Sequence, residues 1–385
     1  MKIALIGPAF PLRGGIAHHT NMLAIYLRKH GHAVDVITFR RQYPKILYPG
    51  RFQEEIGDGG GFAEQVKSER LIDSMSFGNW KAVGRELHQR NYDLIAFKYW
   101  TPMLAPAFSS IAKRARHEGR KDIMVIVDNL FPHERRLIDR FLTDKFFRYC
   151  SLALTQSSTV YNQLAAAYPA IPQRLTPHPM YENFGAKLDP QQARQQLGIN
   201  AKKVLLFFGF VRQYKGLDRL LAAMPEIVRR HPDAQLYVVG EFFGGEKKKG
   251  PYLQQIQQGG VSGNITIVDR YVPNDEVALW FSAADMLVQP YHSATNSGIV
   301  QIAYNFATPL IVTNVGSLGE VVVDGNTGFV IDDPSPNGIA NAVDKMYHNS
   351  TLQQFSHNII QERKKYSWDA FVEGMMEHTR TVQQR

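Results

Sequence analysis

Short apolar runs of strand length alternate with segments of helical periodicity along nearly the whole chain. This alternation predicts strands at residues 2–7, 33–38, 93–97, 123–127 and 152–155, and again at 203–210, 235–240, 264–269, 285–290 and 309–314. Amphipathic helices are predicted near 16–30, 80–90, 103–118, 134–149, 216–231, 275–284, 297–307 and 336–348. A strand that is followed each time by a helix is typical of parallel α/β sheets.

The two sets of strands predict two Rossmann-like, doubly wound domains, at residues 1–180 and 201–350. A stretch rich in Pro and Gly, 177–186, lies at the joint and predicts a linker over 181–200. The final helical segment, 351–385, could cross back onto the first domain. Residues 41–78 are too long for a simple connection and indicate a functional loop. Two such domains imply a cleft in which ligands bind at the carboxyl ends of the strands.

Composition excludes several classes of protein. The single cysteine, Cys150, excludes a disulfide framework and a cysteine-rich zinc site, and it suits a reducing compartment. No segment approaches the ~20 uncharged apolar residues of a membrane span. The apolar N-terminal run lacks a cleavage pattern and indicates a first strand rather than a signal peptide. We therefore expect a cytoplasmic protein, soluble or peripheral on the inner face of the membrane.

The excess positive charge lies in the first half of the chain. Residues 1–185 contain 25 lysines and arginines against 16 acidic residues, whereas residues 186–385 contain 19 of each. The first half either faces an anionic partner or carries a solvated basic surface. Residues 133–150 would place Leu137, Ile138, Phe141, Leu142 and Phe146 on one helical face, either packed on the sheet or lying on an anionic bilayer. Nucleic acid is not expected, because the basic residues form no recognisable binding module.

A basic loop follows the first strand of the second set. The sequence FGFVRQYKGLD (208–218) places Gly209 at the strand end and then Arg212 and Lys215 before a helix. An arginine can contact two phosphate oxygens and a lysine adds a point charge, so the pair suits a diphosphate. Both cations are expected to be exposed. The alternative is that they are merely solvated.

A small-residue turn precedes the helix near 297–307. Backbone N–H groups at the start of that helix could hold a phosphate, with Gly298 allowing close approach. The candidate binding positions in this turn and the first helical turn are Thr295, Asn296, Ser297, Gly298, Ile299 and Val300. A well-capped helix is the alternative, since Thr, Asn and Ser are favoured caps.

Weaker candidates lie at other strand ends. Gly14 and Gly15 follow the first strand, but their spacing is not G-x-G-x-x-G, which disfavours a nicotinamide dinucleotide. Asp128 ends the fourth strand and His133 follows it. Glu320 could accept hydrogen bonds from sugar or ribose hydroxyls. Alternatively, it could only stabilise the N-terminus of a helix through the helix dipole. His18, His19 and His178 are supported by little more than their position in the chain, and no spacing of ligands predicts a metal site.

Together these motifs resemble the group 1 (family 4) retaining glycosyltransferases of GT-B fold. The resemblance rests on FGFVRQYKGLD, LYVVGE, VDRYVPNDEVALWFSAADMLVQPY, NSGIV, FATPLIVTNVGSLGEVV and DGNTGFVI in the second half. The first half contributes the Gly-Gly loop with HHTNMLAIYLRKHGHAVDVIT. The order of the motifs is specific, although each motif alone is not.

The resemblance implies transfer of a sugar from a nucleotide-diphosphate donor to a glycan or lipid-linked acceptor, with retention of configuration and without a metal or other cofactor. It implies that Arg212, Lys215 and the N–H groups of residues 298–300 bind the donor diphosphate, and that the backbone at Tyr271 and Val272 meets the nucleobase. Gly14, Gly15 and His18 would line the acceptor side of the cleft, and Asp128 or His133 would contact acceptor or donor sugar. Polysaccharide or glycolipid assembly is the expected setting.

Two departures from the family pattern leave alternatives open. The family has two glutamates eight positions apart around the NSG turn, where this chain has Thr295 and Ala303, and its arginine stands where this chain has Phe210. Glu320 or Glu241 could replace one glutamate. Alternatively the chain is a nucleotide or glycan binding protein without turnover. A sugar-nucleotide epimerase would need acid and base carboxylates for which the sequence offers no candidates.

Overall fold

A computed structural model describes residues 1–43, 54, 61–120, 122–131, 137–295, 297–348 and 351–384. The chain divides into two compact units. Unit 1 comprises Met1–Pro179 and Tyr366–Arg385, and unit 2 comprises Met180–Lys365. Each unit has its own parallel sheet and its own hydrophobic core.

Unit 1 contains a parallel sheet of seven strands. They are β1 (Lys2–Ile6), β2 (Ala33–Arg41), β3 (Ser68–Asp73), β4 (Leu94–Tyr99), β5 (Ile123–Val127), β6 (Leu152–Thr155) and β7 (Gln173–Leu175), in the order β3-β2-β1-β4-β5-β6-β7. The central strands are buried along nearly their whole length, as expected of a sheet covered on both faces. The direction of winding reverses between β1 and β4, which creates a topological switch point there.

Six helices of unit 1 precede its last strand. They are α1 (Gly15–Lys29), α2 (Phe62–Gln65), α3 (Phe77–Arg90), α4 (Ala105–Ala115), α5 (Leu137–Phe147) and α6 (Ser158–Ala167). On α5 the packed face differs from the predicted one. Phe146 and Phe147 are buried, but Ile138 and Phe141 are both 58% exposed. The predicted apolar face of this helix is thus divided between core and solvent.

The segment predicted to be a functional loop, 41–78, contains regular structure. Residues 62–65 form α2, and β3 pairs with β2 as an edge strand. The prediction did not include this strand because the sequence of β3, SERLID, has only two apolar residues, Leu71 and Ile72, next to each other. Residues 44–53 and 55–60 lie outside the described part of the chain.

Unit 2 contains a parallel sheet of six strands. They are β8 (Lys203–Phe208), β9 (Ala234–Val239), β10 (Ile265–Val268), β11 (Met286–Gln289), β12 (Leu310–Thr313) and β13 (Gly328–Ile331), in the order β10-β9-β8-β11-β12-β13. The switch point of this sheet lies between β8 and β11. The predicted basic loop follows β8, and the predicted small-residue turn follows β11.

Helices cover both faces of this second sheet. They are α7 (Pro190–Leu197), α8 (Leu217–Arg230), α9 (Glu246–Gln258), α10 (Asn274–Ala283), α11 (Gly298–Asn305), α12 (Leu318–Val321), α13 (Pro336–Tyr347) and α14 (Thr351–Glu362). The first of these lies inside the segment predicted as a linker. Asp189 caps it by accepting hydrogen bonds from the N–H groups of Gln191 and Gln192.

The final helical segment is broken rather than continuous. Helix α14 belongs to unit 2, a 3-10 turn spans Arg363–Tyr366, and α15 (Trp368–Gln383) belongs to unit 1. Ser367 caps α15 by accepting a hydrogen bond from the N–H of Ala370. Trp368, Phe371 and Met375 of α15 are buried in the core that also contains residues of β1 and β4. Within the described ranges, none of the helices combines the length and the apolar character that crossing a bilayer requires.

Candidate functional site

The loop after β8 begins with a glycine whose conformation excludes most other residues. Gly209 has a φ of 96°, and its N–H donates to the carbonyl of Val239 at 2.9 Å. Two residues later the N–H of Val211 donates to the carbonyl of Glu241 at 3.0 Å. The loop is therefore fixed to the end of the neighbouring strand β9 before it presents its cations.

The second part of the same loop lies on the end of β11. A Cβ at Gly216 would overlap the carbonyl oxygen of Pro290, so only glycine fits. The N–H of His292 donates to the carbonyl of Tyr214 at 2.7 Å. These contacts hold Lys215, which lies between them in sequence, at the switch point of the sheet.

Lys215 is the centre of this candidate site. Its Nζ lies 3.1 Å from the position that a Cβ on Gly209 would occupy, and Ile299 Cδ1 lies 3.0 Å from that same position. The cation and the first turn of α11 are therefore neighbours, as the sequence predicts. The side chain is only 7% exposed, which corrects the expectation of an exposed lysine. Burial, and to a lesser degree Arg212, lowers the pKa of Lys215 to about 7.

At the start of α11, none of the described side chains accepts a hydrogen bond from the first backbone N–H groups. Ser297 occupies the N-cap position, but its side chain makes no capping hydrogen bond and its hydroxyl instead lies 3.4 Å from that of Tyr291. The first turn contains no acidic residue. Thr295 is fixed by its carbonyl, which accepts from the N–H of Ser317 at 3.2 Å. Among the described residues, no side chain caps this helix, and the N–H groups of Gly298 to Val300 suit an anion. Asn296 lies outside the described residues.

Arg212 is half-buried on the same loop. Its guanidinium stacks over the ring of Phe243, with 4.6 Å between the guanidinium carbon and the ring centroid. This contact leaves the charge in place and limits the rotamers of the side chain. The charge is close enough to lower the pKa of Lys215. Arg212 and Lys215 therefore form a locally cationic site.

The other donor-site predictions fall on separate elements of unit 2. Tyr271 and Val272 lie between β10 and α10, and Val272 is buried. Glu320 is exposed in the short helix α12, whereas Glu241 is buried at the end of β9. Ala303 is completely buried in α11, so its side chain does not line a ligand site in this unit.

The predicted residues of unit 1 differ in their surroundings. Gly14 is the N-cap of α1, with a φ of 111°, and Gly15 is the first residue of that helix. His18 is buried against Phe62, with ring centroids 5.3 Å apart, so it packs in the interior of unit 1. Asp128 follows β5 directly. His133 lies outside the described residues.

A buried polar network surrounds Asp128; of its other members, His19 was only a weak candidate, and Lys98 and Gln156 were not predicted as site residues. Asp128 Oδ1 accepts from Lys98 Nζ and from Gln156 Nε2, both at 2.7 Å. His19 Nε2 lies 3.0 Å from Gln156 Oε1. Two sequence signals could have indicated the network. A lysine interrupts the apolar strand of LIAFKY, and a glutamine directly follows the strand LALT.

Metal ligands were also considered. Within the described ranges, no three His, Cys, Asp or Glu side chains are grouped so that they could hold a metal ion. The candidate site of unit 2 is instead built from cations and backbone donors.

Comparison with known families decides what kind of protein carries these features. The family model for group 1 glycosyl transferases matches residues 189–366, and the model for glycosyltransferase family 4 matches residues 13–179. The two matches cover nearly the whole chain in the expected order. The chain belongs to the group 1 glycosyltransferases. Glycosyl transfer is therefore its function in general terms, and the predicted family is confirmed.

Curated relatives of this glycosyltransferase match over most of its length. A D-inositol 3-phosphate glycosyltransferase of Corynebacterium diphtheriae is 25% identical, and the match covers 97% of this chain and 93% of that protein. An uncharacterised glycosyltransferase of Methanocaldococcus jannaschii is 24% identical, with 96% and 95% of the two chains covered.

Solved structures confirm the GT-B fold. The sucrose-phosphate synthase of Thermosynechococcus elongatus superimposes with a TM-score of 0.78 at 18% identity, covering 99% of this chain and 98% of that one. HepE of Anabaena, solved in complex with UDP and glucose, gives a TM-score of 0.77 at 17% identity and covers 99% and 100%. At this identity the likeness concerns the fold alone.

Proposed function

We propose that this glycosyltransferase moves a sugar from a nucleotide-diphosphate donor, held by unit 2, to a hydroxyl of a glycan or lipid-linked acceptor. One observation carries the proposal. Lys215 Nζ and Ile299 of the first turn of α11 both border Gly209, so a buried cation and helix N–H groups that no described side chain caps lie together. Phosphate oxygens are the ligands that such a combination prefers.

The charge state of Lys215 explains why an anion belongs there. Within the described ranges, no carboxylate lies close enough to Lys215 to form an ion pair, and burial disfavours its charged form. A bound diphosphate would supply the missing negative charge. The same groups would stabilise the charge that develops on the leaving nucleoside diphosphate during transfer.

We further propose that transfer retains the anomeric configuration and needs no metal ion. Lys215, Arg212 and the N–H groups at the start of α11 together supply the positive charge that a metal provides in other enzymes acting on diphosphates. The Anabaena protein HepE has been solved with UDP and with UDP-glucose, which makes a uridine donor the first to test. The D-inositol 3-phosphate glycosyltransferase from Corynebacterium shows that a matching relative acts on a small polyol phosphate.

The test is a panel of UDP-, GDP- and ADP-sugars offered with and without glycan acceptors, in the presence of EDTA. We expect slow hydrolysis of one donor without acceptor, and transfer when an acceptor is present. Proton NMR of the product gives the anomeric configuration. An inverted product or complete loss of activity in EDTA contradicts the corresponding part of the proposal.

Variants locate the donor site. Lys215→Ala and Arg212→Ala should each weaken binding of the nucleoside diphosphate about tenfold or more, because each removes a charge-assisted hydrogen bond. Lys345→Ala removes the same charge from the exposed face of α13 in the same unit and serves as the matched control. Unchanged affinity in the Arg212→Ala, Lys215→Ala double variant would show that the site lies elsewhere.

A binding protein without turnover is the second candidate. It is favoured by the absence of the glutamate pair, since Thr295 and the buried Ala303 provide no carboxylate for donor hydroxyls. Nucleotide binding that depends on Lys215, together with no hydrolysis or transfer of any donor, would favour this candidate over the enzyme.

We also propose that unit 1 meets an anionic membrane surface. Phe77, Ile138 and Phe141 are among its most exposed apolar side chains, and Lys145 Nζ lies 4.2 Å from the ring centroid of Phe141. Apolar side chains next to cations are typical of proteins that lie on anionic bilayers.

Phe141→Ser should reduce co-sedimentation with phosphatidylglycerol vesicles at low salt. Ile360→Ser, at a similarly exposed apolar position of unit 2, should not. If the wild-type protein stays in the supernatant in this assay, unit 1 does not bind an anionic membrane surface.

A further inference from the structure

Tyr291 contacts both parts of the candidate site in unit 2. It follows the end of β11 by two residues, at the same edge of the sheet as the basic loop after β8. Lys215 Nζ lies 5.9 Å from the centroid of the Tyr291 ring, and the hydroxyl oxygen of Tyr291 lies 3.4 Å from Oγ of Ser297. The residue is only 2% exposed. Tyr291 therefore connects the buried cation with the N-cap of α11 from inside the unit.

The backbone of Tyr291 is held in place by side chains of neighbouring elements. Its carbonyl accepts from Thr313 Oγ1 at 2.7 Å and from Arg219 Nη1 at 2.9 Å. Its ring packs edge-on against the ring of Tyr214, with the two centroids 5.9 Å apart. Because both the backbone and the ring are fixed, the hydroxyl has a defined position beside the first turn of α11.

Ser297 has the backbone conformation of a capping residue, but its side chain does not cap the helix. It occupies the N-cap position with a φ of −134° and a ψ of 106°, and serine is among the residues that this position favours most. A capping hydroxyl would accept a hydrogen bond from the N–H of Ile299 or Val300. In this structure the hydroxyl lies against that of Tyr291 instead.

A helix that caps itself is a poorer site for an anion. A phosphate at a helix start binds through the same N–H groups that a serine oxygen would occupy. The 3.4 Å between the hydroxyls of Tyr291 and Ser297 exceeds the ~2.7–2.8 Å typical of O–H···O bonds, so their contact is weak. Since a weak contact opposes a cap of modest strength, the loss of one oxygen atom should decide which of the two forms.

We propose that Tyr291 is a positioning residue of the donor site: its hydroxyl holds Ser297 out of the capping position and so leaves the N–H groups at the start of α11 to the diphosphate. This inference rests on the proposed function. It assigns to Tyr291 an effect on donor affinity that acts through Ser297, and it accounts for a serine at an N-cap position that does not cap.

Titration calorimetry with the nucleoside diphosphate that the wild type binds, among UDP, GDP and ADP, tests the assignment. Tyr291→Phe removes the hydroxyl and keeps the ring beside Lys215. The Kd should rise about fivefold, because Ser297 then caps the helix and the phosphate must displace its side chain.

Tyr304→Phe is the matched control. It removes the hydroxyl of another buried tyrosine, within α11 itself, that donates to the carbonyl of Val321 at 2.6 Å. The Kd of this variant should stay within twofold of the wild-type value. An equal rise in both variants would assign the effect to the stability of the helix and would overturn the inference.

A second substitution separates positioning from structural support. In the Ser297→Ala background the helix has no hydroxyl with which to cap itself, so adding Tyr291→Phe should change the Kd less than twofold. Deletion of the serine oxygen would not repair a packing defect at residue 291. If Tyr291→Phe raises the Kd equally with and without Ser297, the positioning role is wrong.

Hydrogen exchange of single amides, followed by NMR in the unliganded protein, reports the cap directly. The N–H of Ile299 or Val300 should exchange severalfold more slowly in Tyr291→Phe than in the wild type, and adding Ser297→Ala should abolish this slowing. Unchanged exchange of both amides, or an unchanged Kd in Tyr291→Phe, overturns the inference and leaves the proposed function intact. If the wild type binds none of the three nucleoside diphosphates, the proposed function itself is wrong.

Discussion

Each unit buries a lysine beside the glycine that follows the first strand of its parallel sheet, Lys98 from the strand β4 and Lys215 from the loop after β8, and the two lysines have different charged neighbours. In unit 1, Lys98 lies beside Gly7 and is paired with Asp128 at 2.7 Å. In unit 2, Lys215 lies beside Gly209, and the charged group that most affects it is another cation, Arg212. Both folds bring a lysine to the carboxyl end of a parallel sheet. The side chain next to that lysine then decides whether the site is nearly neutral or carries a net positive charge.

The largest expected effect is on stability. Lys98→Met removes the lysine that pairs with the carboxylate of Asp128 and should destabilise unit 1 by about 3–5 kcal/mol. Lys215→Met removes an unpaired buried cation and should cost unit 2 no more than about 1 kcal/mol. Hydrogen exchange read by mass spectrometry on peptides from β4 and β8 measures the two units separately.

The double variant Lys98→Met, Asp128→Leu is the control for this comparison. Because it removes both charges, it should recover most of the lost stability. If Lys98→Met and Lys215→Met lower the free energy of unfolding of their units equally, the pairing of Lys98 with Asp128 does not contribute to stability as proposed.

The second effect is on the pH dependence of the affinity for a nucleoside diphosphate. The pKa of Lys215 is lowered to about 7 in the unliganded protein, and a bound diphosphate would raise it again. Binding above pH 7 must therefore take up a proton, so affinity is full below pH 7 and falls as pH rises, by up to about 1.4 kcal/mol per pH unit. Titration calorimetry in HEPES and in Tris measures the proton uptake. Lys215→Arg should bind with little pH dependence, and an unaltered pH slope in that variant would exclude Lys215 as its source.

The third effect tests the contact between Lys215 and the first turn of α11. Gly209→Ala would place a Cβ within 3.1 Å of Lys215 Nζ and within 3.0 Å of Ile299 Cδ1, so both must move. Nucleoside diphosphate affinity should fall about tenfold, equivalent to about 1.4 kcal/mol. Gly245→Ala introduces a similar positive-φ alanine, but nothing lies within 4 Å of its Cβ, and it should bind as the wild type does. Equal losses in both variants would point to backbone strain alone.

The smallest effect is expected at the surface of unit 1. Asp369 of α15 accepts from His30 Nε2 at 2.8 Å and forms an ion pair with Lys29 at 3.2 Å. All three side chains have substantial exposure, so Asp369→Ala should cost unit 1 less than about 1 kcal/mol. Asp344→Ala, which removes a comparable partner of His231, should affect unit 2 alone. Hydrogen exchange on the same peptides provides the measurement, and a change that crosses from one unit to the other would contradict separate cores.

Strands buried on both faces could be predicted from the sequence, because their apolar runs are nearly continuous. The runs at β1, β5, β8 and β12 are of this kind. The edge strands β3 and β7 could not, because most of their residues are polar and only partly buried, so they form no continuous apolar run. Helix α7 was missed for a related reason: its sequence, PQQARQQL, has a single buried residue, Ala193.

The residue types of the candidate site in unit 2, and the strand ends at which they lie, could be predicted from the sequence. Gly209, Lys215 and the start of α11 come together because strand ends meet at a switch point. The burial of Lys215 was not predictable, because it depends on how the loop packs against the end of β11, where Gly216 approaches Pro290. Likewise, the partners of Asp128 come from strands 30 and 28 residues away in sequence, and only the folded sheet places them side by side.

Helix α15 returns the end of the chain to the unit that contains its beginning. Unit 2 is therefore an insertion within unit 1, and Trp368, against which His19 packs, is synthesised only after the whole of unit 2. During synthesis, unit 2 can complete its core while the first 179 residues still wait for their final helix. A chain that stops before Trp368 would retain the loop of Arg212 and Lys215 but would lack part of the core of unit 1.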